Sequence, residues 1–251
     1  MRILVTNDDG INAPGILALK QALDPLGEVF VVAPERPRSA AGHAITLHKP
    51  LRITKTALLD GSEGWAVSGT PTDAACLGFD VVMEGRADLV FSGINAGPNL
   101  GWDVTYSGTV AAAMEAAILG VPAVAISLAG ERGTFDYGPS ADFARCLGEQ
   151  IDRHGMEQWT LLNVNVPPVP REEIAGVSIT HQGRRQYVDR IDHRVDPWGR
   201  DYYWLHGRLH ETESDPGSDV HAVLEKRISV TPIHLDLTAP HLMDRLREWD
   251  L

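Results

Sequence analysis

Between residues 3 and 33 the chain switches hydrophobic period twice, and that switch limits the fold more than any other feature. Ile3 to Thr6 is a short apolar run, and Ile16, Leu17, Leu19, Leu23 and Leu26 then recur at helical spacing toward Gly27. Val29 to Ala33 is a second apolar run, closed by Pro34. Pro14 suits the first turn of the intervening helix, where a missing N–H costs nothing. Strand, loop, helix and strand in this order make the crossover unit of a parallel sheet.

The alternation continues. Thr70 as cap, Pro71 at the first position and Asp73 at the third predict a helix start. Asp88 to Ser92 reads as a strand, and Gly93 to Tyr106 as a polar, glycine-rich loop. Ser107-Gly108-Thr109-Val110 opens an alanine-rich helix to about Leu119. A strand over Val121 to Leu128, a helix over Ala141 to His154 and a strand over Leu161 to Val166 follow. Alternating residues around Ile45, Leu47, Leu51 and Ile53 predict a hairpin. Beyond Pro170 aromatic and charged residues alternate, as in Tyr202-Tyr203-Trp204, which favours antiparallel strands; helices near 218–225 and 239–249 flank a strand from Ile228 to Ile233. The expected architecture is α/β: a Rossmann-like, doubly wound, mostly parallel sheet over residues 1–170. A region of hairpins, a final strand and a C-terminal helix over 171–251 is expected to serve oligomerisation.

Composition excludes several classes. A net charge of −12 argues against a nucleic-acid polymer as partner, since such binding replaces counterions with basic side chains. No apolar run reaches the length of a membrane span, and the N-terminus reads as a strand rather than a signal peptide, so a cytoplasmic protein without a membrane partner is expected. Two distant cysteines, Cys76 and Cys146, exclude a disulfide framework and a cysteine-rich metal site. Nucleophile-elbow, Walker-type, dinucleotide-binding and zinc-protease motifs are all missing from the sequence.

The chemistry concentrates in four loops. In an open α/β sheet ligands sit at the carboxyl ends of the parallel strands. Asp8 and Asp9 follow the first strand, Ser39 the second, Asn95 the strand ending at Ser92, and Ser107-Gly108-Thr109 begins the next helix. Adjacent carboxylates in a cleft are costly without a cation. Carboxylate, hydroxyl and amide oxygens are hard donors suited to Mg²⁺ or Mn²⁺. Taken alone, Asp-Asp-Gly is as readily a solvated turn; four loops at one sheet edge argue against that. Ser107 to Thr109 offers hydroxyls and backbone N–H groups at a helix N-terminus, a setting for phosphate, while Ser107 as a simple helix cap is the plainer alternative. His206 and His210 are expected to be structural or surface residues. His43 and His48 flank the Ser39 loop, and the residues alone give them no assigned role.

Thr6-Asn7-Asp8-Asp9-Gly10 with Ala13-Pro14-Gly15, Ser92-Gly93-Ile94-Asn95-Ala96-Gly97 and Tyr106-Ser107-Gly108-Thr109-Val110 together resemble the SurE family of survival-protein nucleotidases. Ala33-Pro34 leading to Ser39 and Gly42, Gly69-Thr70-Pro71-Thr72-Asp73 and Ser229-Val230-Thr231-Pro232 extend the match in order along the chain. The resemblance implies a Rossmann-like core with a swapped C-terminal arm, in a homodimer or homotetramer. It implies one divalent cation per subunit, Mg²⁺ or Mn²⁺, on Asp8, Asp9, Ser39 and Asn95, and hydrolysis of nucleoside 5′- and in some members 3′-monophosphates. Catalytic work then falls to Asp8, Asp9 and Asn95, and phosphate binding to Asn95, Ser107, Gly108 and Thr109. Whether an aspartate orients a water or itself attacks stays open at this level. An aspartyl-phosphate phosphatase usually spaces its two carboxylates by one residue, whereas these are adjacent. A non-catalytic nucleotide-binding module is the other alternative.

Overall fold

The computed structural model describes residues 1–130, 136–188, 191–205, 207–209 and 215–250. The histidines at 206 and 210 lie outside the described residues. The N-terminal unit is β1 (Arg2–Thr6), α1 (Pro14–Leu23) and β2 (Glu28–Pro34). After β3 (Ile53–Ala57), β4 (Glu63–Val67) and α2 (Pro71–Leu77) come β5 (Leu89–Ala96), α3 (Gly108–Ile118), β6 (Ala123–Leu128), α4 (Gly138–His154) and β7 (Thr160–Val166). The C-terminal part holds β8 (Val177–Ile179), β9 (Tyr187–Val188), β10 (Ile191–Val195), β11 (Asp201–Leu205), β12 (Arg208–Leu209), α5 (Asp219–Leu224), β13 (Ile228–His234) and α6 (Pro240–Leu246).

One nine-stranded sheet, in the order β3-β4-β2-β1-β5-β6-β7-β13-β8, forms the middle layer. Its strands from β4 through β7 are all parallel, with β3 antiparallel at one edge and β13 antiparallel to β7 near the other. The order reverses at β1, which has β2 on one side and β5 on the other; in such sheets the crevice for ligands opens at that reversal.

Both faces of the sheet are covered, so the middle of β1, Ile3-Leu4-Val5, is apolar throughout rather than alternating. Ile3 and Val5 point into a core with Ile16, Leu19 and Leu23 of α1 and Ala144 of α4. Leu4 points the other way, among Ala74 of α2 and Val110, Ala113 and Ala116 of α3. The expected start of α2 is present as a reciprocal cap: Thr70 Oγ1 accepts from the Asp73 N–H, and the Asp73 carboxylate accepts from the Thr70 N–H.

Two expectations need correction. The hairpin lies at β3–β4, later than expected; of the residues that suggested it only Ile53 is in a strand, and Ile45 and Leu47 are exposed. Their stretch is held instead by polar bonds to α2, where the Thr46 backbone N–H and hydroxyl both donate to Asp73. The strand expected to end at Ser92 runs on to Ala96, through a cis Gly93–Ile94 peptide and a register shift between Ser92 and Asn95. The final strand expected at Ile228 to Ile233 is present as β13, which with β8 extends the sheet beyond β7. The hairpin β10–β11 and the pair β9–β12 stand as separate two-stranded sheets.

Candidate active site

β1 delivers Asp8 and Asp9 to the carboxyl edge of the sheet, and Asn7 shapes the turn that follows. Asn7 is fully buried; its amide donates to the Gly10 carbonyl and accepts from the Gly10 N–H, both at 3.0 Å. Asp8 is buried against the start of α3. Its Oδ1 accepts from the Thr109 hydroxyl at 2.5 Å. A Cβ on Gly108 would fall 2.8 Å from the Asp8 Cβ and 3.0 Å from its Oδ2, so only glycine lets this carboxylate sit on the helix terminus. Gly15 is needed for a similar reason on the neighbouring helix, because a Cβ there would collide with the Ile94 carbonyl oxygen. Asp9 Oδ2 accepts from the Ala96 N–H at 3.1 Å, which ties the first strand's loop to the end of β5.

The loop after β2 is tied down next to this pair. The Arg38 N–H donates to the Asp8 carbonyl at 2.8 Å and the Gly42 N–H to the Tyr106 carbonyl at 3.1 Å, and exposed Ser39 lies between those anchors. Asn95 gives its amide nitrogen to the Gly97 carbonyl at 2.8 Å, so its carbonyl oxygen is the end available as a donor to a cation. Asp8, Asp9, Ser39, Asn95 and Ser107 all line a single cavity of about 510 Å³.

Two expected phosphate residues stand elsewhere. Thr109 is fully buried with its hydroxyl committed to Asp8, and neither it nor Gly108 lines the cavity. Any contact of Thr109 with phosphate would therefore run through its backbone N–H. Ser107 combines both readings: its Oγ accepts from the Val110 N–H at 3.1 Å as a cap, and it faces the cavity with its own proton free to donate. His43 sits outside the cavity lining, paired with Glu115 Oε2 at 2.8 Å, and His48 is an exposed residue outside it too.

Several residues that the sequence did not single out hold the loop from Gly97 to Gly101. Asn165 Oδ1 accepts from the Asn99 N–H, while the Asn163 and Asn165 amides both donate to the Asn99 carbonyl. The Asn99 amide donates to Ser127 Oγ, and Asp219 Oδ2 accepts from the Gly101 N–H. Asn163 and Asn165 in the otherwise apolar run Leu-Leu-Asn-Val-Asn-Val were the signal available. Two amides on one face of a buried strand must find partners.

The donor set fits a hard divalent cation. Among the described residues no three His, Cys, Asp or Glu side chains are grouped so that they could hold a metal by themselves, so a cation here would draw on Asp8 and Asp9 and the neutral oxygens of Ser39 and Asn95. Burial pushes Asp8 up to about 6, with the Thr109 hydrogen bond opposing and the charge of Asp9 adding to the rise. Asp9 is also raised by burial, against the pull of the Ala96 N–H. A buried and a half-buried carboxylate held above their ordinary range are a pair that a bound cation would return to the ionised form.

The sequence profile of the family described as "Survival protein SurE" matches residues 3–189. The chain belongs to the SurE family. Proteins named 5′-nucleotidase SurE from Geobacter sulfurreducens and Heliobacterium modesticaldum are 51% and 49% identical to it. These alignments cover 100% and 99% of this chain and 94% and 92% of those proteins. The crystal structure of the SurE protein from Aquifex aeolicus superimposes with a TM-score of 0.87 at 42% identity, covering 98% of each chain. The SurE family match thus takes in every residue of the cavity.

Proposed function

We propose that this chain is a metal-dependent 5′-nucleotidase, a phosphoric monoester hydrolase that converts nucleoside 5′-monophosphates, and by the same chemistry 3′-monophosphates, to nucleoside and phosphate. The observation that carries the reading is the meeting of Asp8, Asp9, Ser39 and Asn95 with the Ser107 helix start around one cavity. The name borne by relatives near 50% identity over the full length supports it.

Asp8, Asp9, Ser39 and Asn95 would hold one Mg²⁺ or Mn²⁺. When bound, that ion neutralises phosphoryl charge and acidifies a water. Thr109 fixes the rotamer of Asp8, so the carboxylate is set before substrate arrives. Ser107 donates its hydroxyl proton to a phosphoryl oxygen, and the first N–H groups of α3 add their dipole as charge spreads over the equatorial oxygens. Asp9, less buried than Asp8, accepts the proton of the attacking water.

The decisive assay is phosphate release from a panel of nucleoside 5′- and 3′-monophosphates with Mg²⁺, Mn²⁺ or excess chelator. Turnover lost in chelator and restored by either ion is expected. Full turnover in chelator with no bound metal would refute the metal role, and binding without any release would favour a nucleotide-binding module. An acid-stable label on Asp8 would instead favour the aspartyl-phosphate route.

Association into a homodimer or homotetramer is part of the reading. Ile191, Tyr203, Trp204 and Leu205 of the β10–β11 hairpin are exposed, as are Leu237 and Trp249 near α6. A two-stranded hairpin with apolar side chains in water is marginal, and a second copy of the chain is the surface most readily supplied. No helix among the described residues is long and apolar enough to cross a membrane. A cytoplasmic site of action fits the two unpaired cysteines and a nucleotide substrate.

A further inference from the structure

Asp219, at the start of α5, is fully buried, and its two oxygens take three backbone N–H groups. Oδ2 accepts from Gly101 at 2.8 Å; Oδ1 accepts from Gly183 and Val220, each at 2.8 Å. Capping of α5 does not call for this carboxylate, because Ser218 Oγ already accepts from the His221 N–H. A carboxylate held out of water is costly, and what it joins accounts for its place. The two segments meet with no room for side chains. A Cβ on Gly101 would fall 3.0 Å from the Gly183 carbonyl oxygen, and one on Gly183 would fall 2.9 Å from Asp219 Oδ1.

Both segments bear on one turn. Gly101 begins the 3₁₀ turn Gly101–Thr105, whose bonds run on into Ser107: the Tyr106 N–H donates to the Asp103 carbonyl and the Ser107 N–H to the Val104 carbonyl. Beyond Gly183, Arg185 Nη1 and the Tyr187 hydroxyl both donate to Asp103 Oδ2, at 2.8 and 2.6 Å. Asp219 therefore holds the turn at its first residue and also holds the segment that grips its middle. It does not line the cavity that Ser107 faces. We propose that Asp219 is a positioning residue, which sets Ser107 against the phosphoryl group through the turn and touches no substrate. The assignment rests on the nucleotidase reading above.

Asp219→Asn keeps the shape of the side chain but has one acceptor oxygen. That oxygen can serve the paired N–H groups of Gly183 and Val220, which leaves the amide nitrogen facing the Gly101 N–H, donor against donor. With the turn released, kcat for AMP in saturating Mn²⁺ should fall roughly tenfold, as a small misplacement of a reacting group does. In a Ser107→Ala background the same substitution should cost less than about twofold, because its effect runs through the hydroxyl already removed. Exposed Gln182 tethers the other side of the same glycine, its amide donating to the Gly101 carbonyl at 2.8 Å, so Gln182→Leu should give a smaller loss of the same kind without threatening the fold. Ser218→Ala removes the neighbouring cap but leaves all three bonds of Asp219, so it should lower the melting point and keep kcat. Unchanged kcat in Asp219→Asn and Gln182→Leu, losses that multiply fully in the double variant, or an equal fall in kcat for Ser218→Ala would each overturn the positioning role and leave the nucleotidase reading standing. Release of phosphate from no nucleotide by the wild-type protein would overturn both.

Discussion

Asp8 carries a cost that its neighbours only partly offset. Burial lifts it to about 6 in the folded protein from the 3.8 of an unperturbed carboxyl, so the folded state resists its ionisation. For a raised carboxyl the sign is that the contribution of Asp8 to metal-free stability is most favourable below about pH 4, declines across the window to about pH 6 and then levels off. Asp8→Asn should therefore abolish activity yet stabilise the chelated protein at pH 8, by on the order of 2 kcal/mol or a melting point roughly 5 °C higher. At pH 4 the gain should shrink toward zero. Calorimetry in chelator at the two pH values checks this, and a lowered melting point at pH 8 would contradict it. Ser107→Ala separates the two roles of that hydroxyl. Loss of the cap to Val110 should cost about 1 kcal/mol, and loss of a donor to phosphate should lower kcat on the order of a hundredfold. A lowered melting point with unchanged kcat would leave Ser107 as a cap alone.

At the scale of elements, the strand β7 supports the site without lining its cavity. Asn165 exchanges two hydrogen bonds with the backbone of Asn99, at 2.8 and 3.0 Å, and so sets the loop that begins just past Asn95. Asn165→Leu, close in volume, should weaken Mn²⁺ binding by about tenfold, as loss of an orienting partner does. Titration calorimetry without substrate reads this directly; an unchanged affinity would mean the loop is set by its other anchors. The same contact shows where sequence reading stops. β1, α1 and β2 were legible because each carries its own signal: an unbroken apolar run, a helical period, a proline at the right turn. Asp8, Asp9, Ser39 and Asn95 were legible because strand ends can be read locally and the sheet brings them together. The partnership of Asn99 with Asn165 spans 66 residues, and no local rule reaches that far. Ile45 and Leu47 misled for the opposite reason: their spacing resembled a strand, but Asp73 and the Ala44 carbonyl, which accepts from Thr70, hold that stretch by polar bonds and leave its apolar side chains outside.

At the scale of the whole molecule, the apolar exposure of the C-terminal part predicts a homodimer or homotetramer. Deleting the chain from Thr238 removes α6, together with Leu242, Met243 and Trp249, all of them at least partly exposed. Monomers or aggregates with little activity are the expected product, and light scattering at micromolar concentration measures it. A stable, active full-length monomer would refute the assembly. The long span of the anchors has a further consequence, one of timing. Asp8 and Asp9 precede all of these anchors in the chain, and their βαβ unit can close before the anchors exist. The Gly97–Gly101 loop, however, waits for Asn165, for Gln182, whose amide donates to the Gly101 carbonyl, and for Asp219. A nascent chain therefore carries its acidic pair before the opposite wall can be set. The two walls of the cavity are thus completed at different stages of synthesis, the acidic one ahead of the loop that faces it.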